Sequence, residues 1–199
     1  MPKVSKEHQE QRRKQIVDAA VDVFLKKGYG RASMNDICAE AELSAGACYS
    51  YYPSKDELVC AIAQRSRKRN ADEIKKAAAL DPTRPLHSVV RQFLEELRER
   101  KNLRAYSLDY DLMSESRHNK EVRDIMRKSY RALVKQLAGL VAEGQKAGRI
   151  NQKLQPQAAA RFLLATLQGL VQQAYLDPKV DVDAYMQVFE QVYTAAFAA

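Results

Sequence analysis

The run from Ser33 to Leu58, SMNDICAEAELSAGACYSYYPSKDEL, holds the side chains with the clearest chemical use in this sequence. Ser33 and Ser44 each precede a short helical pattern, and a serine hydroxyl in that position accepts a hydrogen bond from an orphan N–H of the first turn. Ile37 and Ala41 in the first pattern, and Cys48 and Tyr52 in the second, fall at helical spacing and predict the inner faces. Ala45, Tyr49, Ser50 and Tyr51 are then left to face outward. Two short helices at a steep angle, the second displaying small, polar and tyrosine side chains, are what a DNA major groove accepts.

No competing chemistry is spelled out elsewhere. His8, His87 and His118 lie far apart, in polar or helix-start contexts, and are expected at the surface. A nucleophile–histidine–acid spacing, a metal-ligating cluster and a phosphate loop are all missing from the pattern, so no catalytic residue, metal or cofactor is expected. A helical enzyme is the alternative from a different class. Cys38, Cys48 and Cys60 are odd in number and contain no Cys-X-X-Cys pair, which suits a reducing cytoplasm. A thiol-based redox repressor is a further alternative, because Cys38 and Cys48 fall in the two short helices. Against it, no Lys, Arg or His adjoins Cys48 to lower its pKa, and its helical phase points inward.

The chain has 199 residues, 46% hydrophobic, with a formal net charge of +8. That size supports a buried core, and that charge suits a polyanion such as the phosphate backbone. The first 55 residues hold nine Lys/Arg against seven Asp/Glu, only +2, and Arg65, Arg67, Lys68 and Arg69 form a second cluster. No apolar run approaches the roughly 18 residues a membrane span needs, and the N-terminal stretch lacks the apolar centre of a secretory signal. No membrane partner is expected.

Nearly everything else reads as helix: about Glu10 to Lys27, stopped by Gly28; Ser54 to Leu80; Leu86 to Lys101; Leu103 to Met113; Lys120 to Ala147, stopped by Gly148; Pro156 to Leu176; and Val182 to Phe197. The fold expected is all-α, with an N-terminal three-helix helix-turn-helix domain over residues 1–53 and a C-terminal helical domain over 54–199. The segment AAARFLLATLQGLVQQAYL is apolar nearly all round, so it needs burial on two sides. Leu163, Leu167 and Leu170 form one stripe; Phe162, Ala165, Thr166 and Gly169 form another. The last helix offers Tyr185, Val188, Phe189, Val192, Tyr193 and Ala196. A two-fold, four-helix interface using Leu167, Val171, Tyr185, Val188, Phe189 and Val192 is therefore expected. Tyr106, Asp109, Tyr110 and Met113 share another helical face, and Met126 and Tyr130 share one on the next helix. An acid among aromatics would suit a cationic ligand if buried. Pairing with Arg104, Arg127 or solvent is the structural alternative for Asp109, with the Tyr/Met stripe as core.

The segment from Ser33 onward resembles the helix-turn-helix of the tetracycline-repressor (TetR) family of bacterial transcription regulators. That family opens its first short helix with threonine or serine, here Ser33. Its valine-serine, variable residue, Gly-Thr-Leu-Tyr run corresponds to Leu43, Ser44, Ala45, Gly46, Ala47, Cys48 and Tyr49. The following Tyr-Phe-X-Ser-Lys-Glu-Glu-Leu type stretch appears as Tyr51 to Leu58, and Phe24, Gly28 and Tyr29 fit the end of the family's first helix. Ala47 and Cys48 depart from the usual threonine and leucine. The resemblance implies phosphate contacts at Ser33, Tyr49 and Lys55, groove or base contacts at Ala45, Ala47 and Tyr51, and a place for Ser44 among the DNA-binding residues. It implies a homodimer on palindromic operator DNA, repression commonly of transport or efflux genes, and an effector pocket among the middle helices. There Phe93, Tyr106, Asp109, Tyr110, Met113, Met126, Tyr130, Phe162 and Thr166 are the expected contacts for a small hydrophobic, aromatic or cationic molecule.

Overall fold

The computed structural model describes residues 6–99 and 103–199, and for Arg104, Ala105 and Ser107 the backbone alone. Nine α-helices follow one another among these residues: α1 Lys6–Lys27, α2 Met34–Glu40, α3 Ala45–Tyr51, α4 Lys55–Leu80, α5 Pro85–Arg98, α6 Leu103–Glu115, α7 Lys120–Lys146, α8 Pro156–Leu176 and α9 Val182–Val192. A π-helical turn, Tyr193–Phe197, closes the series. The expected all-α architecture is observed, and an isolated bridge pairs Ile150 with Ala198. No helix among the described residues is long and apolar enough to cross a membrane.

Helix ends follow the chain's punctuation. Gly28 (φ +77°) and Gly148 (φ +66°) take the left-handed conformation that ends α1 and α7. Pro85 and Pro156 stand in first turns, where a missing N–H costs nothing. Helix α1 starts earlier than its apolar stripe suggested. Lys101, the expected end of α5, lies outside the described residues, and α5 closes at Arg98. The last helix departs from α geometry at Tyr193.

The chain divides into two compact units. One combines the described residues up to Ser66 with Ser107–Ser129, and the other combines Arg67–Tyr106 with Tyr130–Ala199. The first is centred on Ile16, Ala20, Val23 and Phe24 of α1, Ile37 and Cys48 below the two short helices, and Leu58 and Val59 of α4. Leu108, Leu112 and Val122 complete that core. Position 53 therefore falls inside this unit, because the first turns of α4 bury their apolar side chains here.

In the second unit α5, α7, α8 and α9 enclose Leu86, Val90, Leu94, Val134, Leu137, Val141, Leu163, Leu170, Phe189 and Tyr193. Three residues expected at a subunit interface, Leu167, Val171 and Phe189, are buried in this core instead. They lie on the faces of α8 and α9 that the chain's own core covers, while the α8 face carrying Phe162 and Thr166 stays outside. Tyr185 is half-buried and its hydroxyl donates to the Thr166 carbonyl at 3.3 Å. The apolar residues that α8 and α9 leave outside include Phe162 (54% exposed), Val188 (56%) and Val192 (39%), with Tyr175 and Leu176 at the end of α8. His87 also corrects the sequence reading. It is 5% exposed, and its Nε2 donates to the two carboxylate oxygens of Glu190 at 2.6 and 2.7 Å.

Two glycines of α7 give opposite expectations. A Cβ at Gly139 would meet nothing within 4 Å, whereas one at Gly144 would fall 2.5 Å from Ile150 Cδ1 and 2.7 Å from its Cγ1. Gly139→Ala should stabilise by up to ~1 kcal/mol, the usual helical gain. Gly144→Ala should destabilise by about 1–3 kcal/mol, because buried Ile150 must move. Urea unfolding of the two variants checks the difference in sign.

Candidate nucleic-acid interface

Helices α2 and α3 are held at each end by named hydrogen bonds. Ser33 Oγ accepts from the Asp36 N–H at 3.1 Å, while an Asp36 carboxylate oxygen accepts from the Ser33 N–H at 3.0 Å, a reciprocal capping box. At the far end of α2, Gln15 Nε2 of α1 donates to the Ala41 carbonyl at 2.7 Å. Glu42 takes a left-handed φ of +53° and turns the chain towards α3. Ser44 caps α3 by accepting from the Ala47 N–H at 3.3 Å.

Ion pairs tie α2 to α1: Lys26 to Glu40 and Lys27 to Asp36, each at 2.7 Å. The hydrogen bonds from Lys27, then those from Ser33, hold the Asp36 carboxyl down at about 2. Arg65 of α4 pairs with Asp18 of α1.

The predicted inner face is correct: Ile37, Ala41, Cys48 and Tyr52 are buried. On α3, Ala45, Ser50 and Tyr49 (46% exposed) face solvent, as expected. Ala47 is half-buried. Tyr51 is half-buried as well, because the Arg13 guanidinium of α1 lies 5.5 Å from its ring centre and 5.6 Å from that of Tyr52. Arg13 is a neighbour of the recognition surface that sequence reasoning missed. Nothing in its local pattern marks it, since the contact forms only when α1 and α3 pack.

Lys55, expected at a phosphate, is already engaged. Its Nζ donates to the Tyr29 carbonyl at 2.9 Å and lies 4.4 Å above the Tyr29 ring. Beside it, Asp56 Oδ1 accepts from the Tyr29 hydroxyl at 2.5 Å and from Asn119 Nδ2 at 3.0 Å. Burial, followed by that bond to Asp56, raises the Tyr29 pKa well above the ordinary phenol range. Asp56 and Asn119 are a second pair that sequence reasoning missed, brought together across 63 positions.

Cys38 and Cys48 hydrogen-bond to each other inside the first unit, and burial first, then that bond, pushes the Cys48 thiol up to about 11. It stays protonated near neutral pH, so thiolate chemistry gains no support from its surroundings.

The expected effector contacts divide between the units. Phe93, Tyr106, Tyr130, Phe162 and Thr166 belong to the second, and Asp109, Tyr110, Met113 and Met126 to the first. Phe93 and Tyr106 meet edge-on at 6.3 Å, and Arg161 lies 5.6 Å from the Tyr130 ring centre. Phe162 and Thr166 are exposed on α8. In the first unit α6 turns Leu108 and Leu112 inward, leaving Asp109 exposed and Met113 60% exposed. A leucine pair gains from burial, whereas a carboxylate loses hydration. Asp109 is thus exposed, not the buried acid among aromatics that a cation would favour. Arg127 pairs with Asp124 at 3.0 Å, and the side chain of Arg104 lies outside the described residues.

Comparison with known proteins agrees with this geometry. The model for bacterial regulatory proteins of the tetR family matches residues 16–62, and that for the C-terminal part of BetI-type transcriptional repressors matches 82–197. The HTH-type transcriptional regulator YfiR of Bacillus subtilis is 30% identical over 187 residues, covering 91% of this chain and 89% of the relative. Among solved structures, SmeT in complex with triclosan has a TM-score of 0.79 at 21% identity, covering 95% of this chain and 92% of that one. SmeT is the repressor of a Stenotrophomonas maltophilia multidrug efflux pump. A putative regulator from Saccharomonospora viridis in complex with choline has a TM-score of 0.78 at 22% identity, covering 96% and 100%.

Two expectations follow for the caps. Ser44→Ala should cost about 1 kcal/mol of stability, the usual worth of an N-cap, read by urea unfolding. Asp36 titrates lower in the folded chain than the ordinary value of 3.8, so its contribution is present above pH 4 and fades as pH falls towards 2. The stability gap between the parent chain and Asp36→Asn should therefore be widest above pH 4 and close near pH 2 in acid-unfolding curves.

Proposed function

The chain belongs to the TetR family of bacterial transcriptional regulators, and from that premise we propose that it is a homodimeric, one-component repressor. It binds a palindromic operator in the cytoplasm and leaves the operator when a small molecule binds. The observation behind the DNA reading is α3: capped by Ser44, buried at Cys48 and exposed along Ala45, Tyr49 and Ser50. Residues 1–53 read DNA, and residues 54–199 dimerise and hold the effector.

In this reading Tyr49 and Ser33 reach phosphates, and Ala45, Ala47 and Tyr51 lie along the groove. An ammonium has three donors, so Lys55 keeps two for a phosphate while the third holds the Tyr29 carbonyl. Dimerisation sets the two α3 helices about one helical turn, roughly 34 Å, apart. The exposed Phe162, Val188 and Val192 support that assembly, since Val188 and Val192 stand one helical turn apart on α9. Triclosan and choline in two relatives of the same fold support a small-molecule effector. Such a molecule releases DNA only by binding the DNA-incompetent state more tightly.

Tyr49→Ala should weaken operator binding by about 1–2 kcal/mol with little change in melting temperature, because the side chain is exposed. Fluorescence anisotropy on operator DNA reads the first and calorimetry the second; unchanged affinity would remove Tyr49 from the interface. Replacing Val188 and Val192 together by glutamate should give monomers that keep their helical content and bind operator poorly. Sedimentation showing an intact dimer would sink the α8–α9 assignment.

A further inference from the structure

Arg13 is carried to the recognition helix by the apolar face of α1. It stands about one helical turn before Ile16 and Val17, and both of those are buried. The same face brings its guanidinium to the end of α3, 5.5 Å from the ring centre of Tyr51 and 5.6 Å from that of Tyr52. We propose that Arg13 grips a phosphate of the DNA strand that borders α3, a contact independent of base sequence. It deepens the DNA-binding reading of α3 and rests on it.

The guanidinium is held without being used up. The two ring faces attract its charge, but among the described residues Arg13 donates no hydrogen bond and makes no ion pair. The other two arginines before α4 do have acceptors: Arg12 donates to Gln15 Oε1 at 2.7 Å, and Arg31 to the Lys27 carbonyl at 3.0 Å. Lys26 and Lys27 are taken by Glu40 and Asp36, and Lys55 has one donor on the Tyr29 carbonyl. Helix α3, AGACYSY, contains no acid that could claim Arg13.

An arginine in this state suits a phosphate. A planar guanidinium lying against a ring still presents the donors of its edge, and these match two phosphate oxygens in parallel. Contact with two rings also restricts the long side chain beforehand, so less freedom is lost when an anion binds. The place fits as well. In the reading above Tyr51 lies along the groove, which is only about 12 Å wide and walled by the two phosphate chains. A cation that flanks α3 from a neighbouring helix meets that wall rather than a base edge. Arg13 is exposed, so a strand can reach it.

Fluorescence anisotropy of the full chain on two duplexes of unrelated sequence, each roughly three helical turns long, tests this. Arg13→Gln should weaken binding to both duplexes alike, by roughly tenfold at about 0.1 M salt, the counterion-release value of one phosphate per chain. The slope of log affinity against log salt should fall by about 0.9 per chain bound. Arg13→Lys should keep the parent slope and bind with intermediate affinity, because an ammonium retains the charge but not the paired donors. Circular dichroism should show both variants folded with nearly the parent melting temperature, since Arg13 is exposed. Weaker binding by Arg13→Gln with the parent salt slope would mean that Arg13 only positions Tyr51, and would overturn the proposal. Unchanged affinity would overturn it too. A parent chain that binds neither duplex would remove the DNA reading itself, and this contact with it.

Discussion

A seven-residue helix does not persist alone in water, and the chain displays its recognition surface on one such helix packed beside another. Everything α3 presents outward therefore depends on what lies beneath it. Phe24, Ile37, Cys48 and Leu58 are all but inaccessible, drawn from α1, α2, α3 and α4, so one small apolar centre joins four elements. The small thiol at position 48 belongs to this arrangement. It shares the buried centre with Ile37 and Cys38 and takes less volume than the leucine usual in the family. The caps at Ser33, Ser44 and Gln15 then satisfy backbone groups that such short helices cannot satisfy internally.

Asp56 plays a corresponding part for the polar contacts. One carboxylate oxygen receives the Tyr29 hydroxyl and the Asn119 amide, while the neighbouring Lys55 holds the Tyr29 carbonyl. The turn after α1, the start of α4 and the turn before α7 are thus fixed relative to one another within the first unit. Asp56 also stands in the first turn of α4, where the helix dipole favours an acid.

Helix positions were largely legible in the sequence, because Gly28, Gly148, Pro156 and the capping serines act locally. The direction of each apolar face was harder to read. Helix α8 is apolar on two sides, and periodicity does not say which side its own chain covers; Leu163, Leu167 and Leu170 go inward and Phe162 stays out. In α6 the mixed Tyr–Asp–Met stripe looked distinctive, but the plain pair Leu108 and Leu112 takes the interior. His87 and Glu190 lie 103 positions apart, so no local pattern could reveal that a histidine near a helix start is buried against a carboxylate. The inner and outer faces of α3 were read correctly except at Tyr51, where Arg13 of another helix intervenes.

The first compact unit is not contiguous in the chain: Ser107–Ser129 returns to pack with residues before Ser66. Val122 is fully buried there and Leu108 and Leu112 nearly so, beside Val59. A fragment ending near Ser66 would leave that part of the core open to water. Recombination that exchanged only an N-terminal segment between relatives would separate Leu108, Leu112 and Val122 from the partners they evolved beside. Viable chimaeras of this chain should therefore carry the middle segment along with the head, and a single crossover point should be a poor place to join two parents.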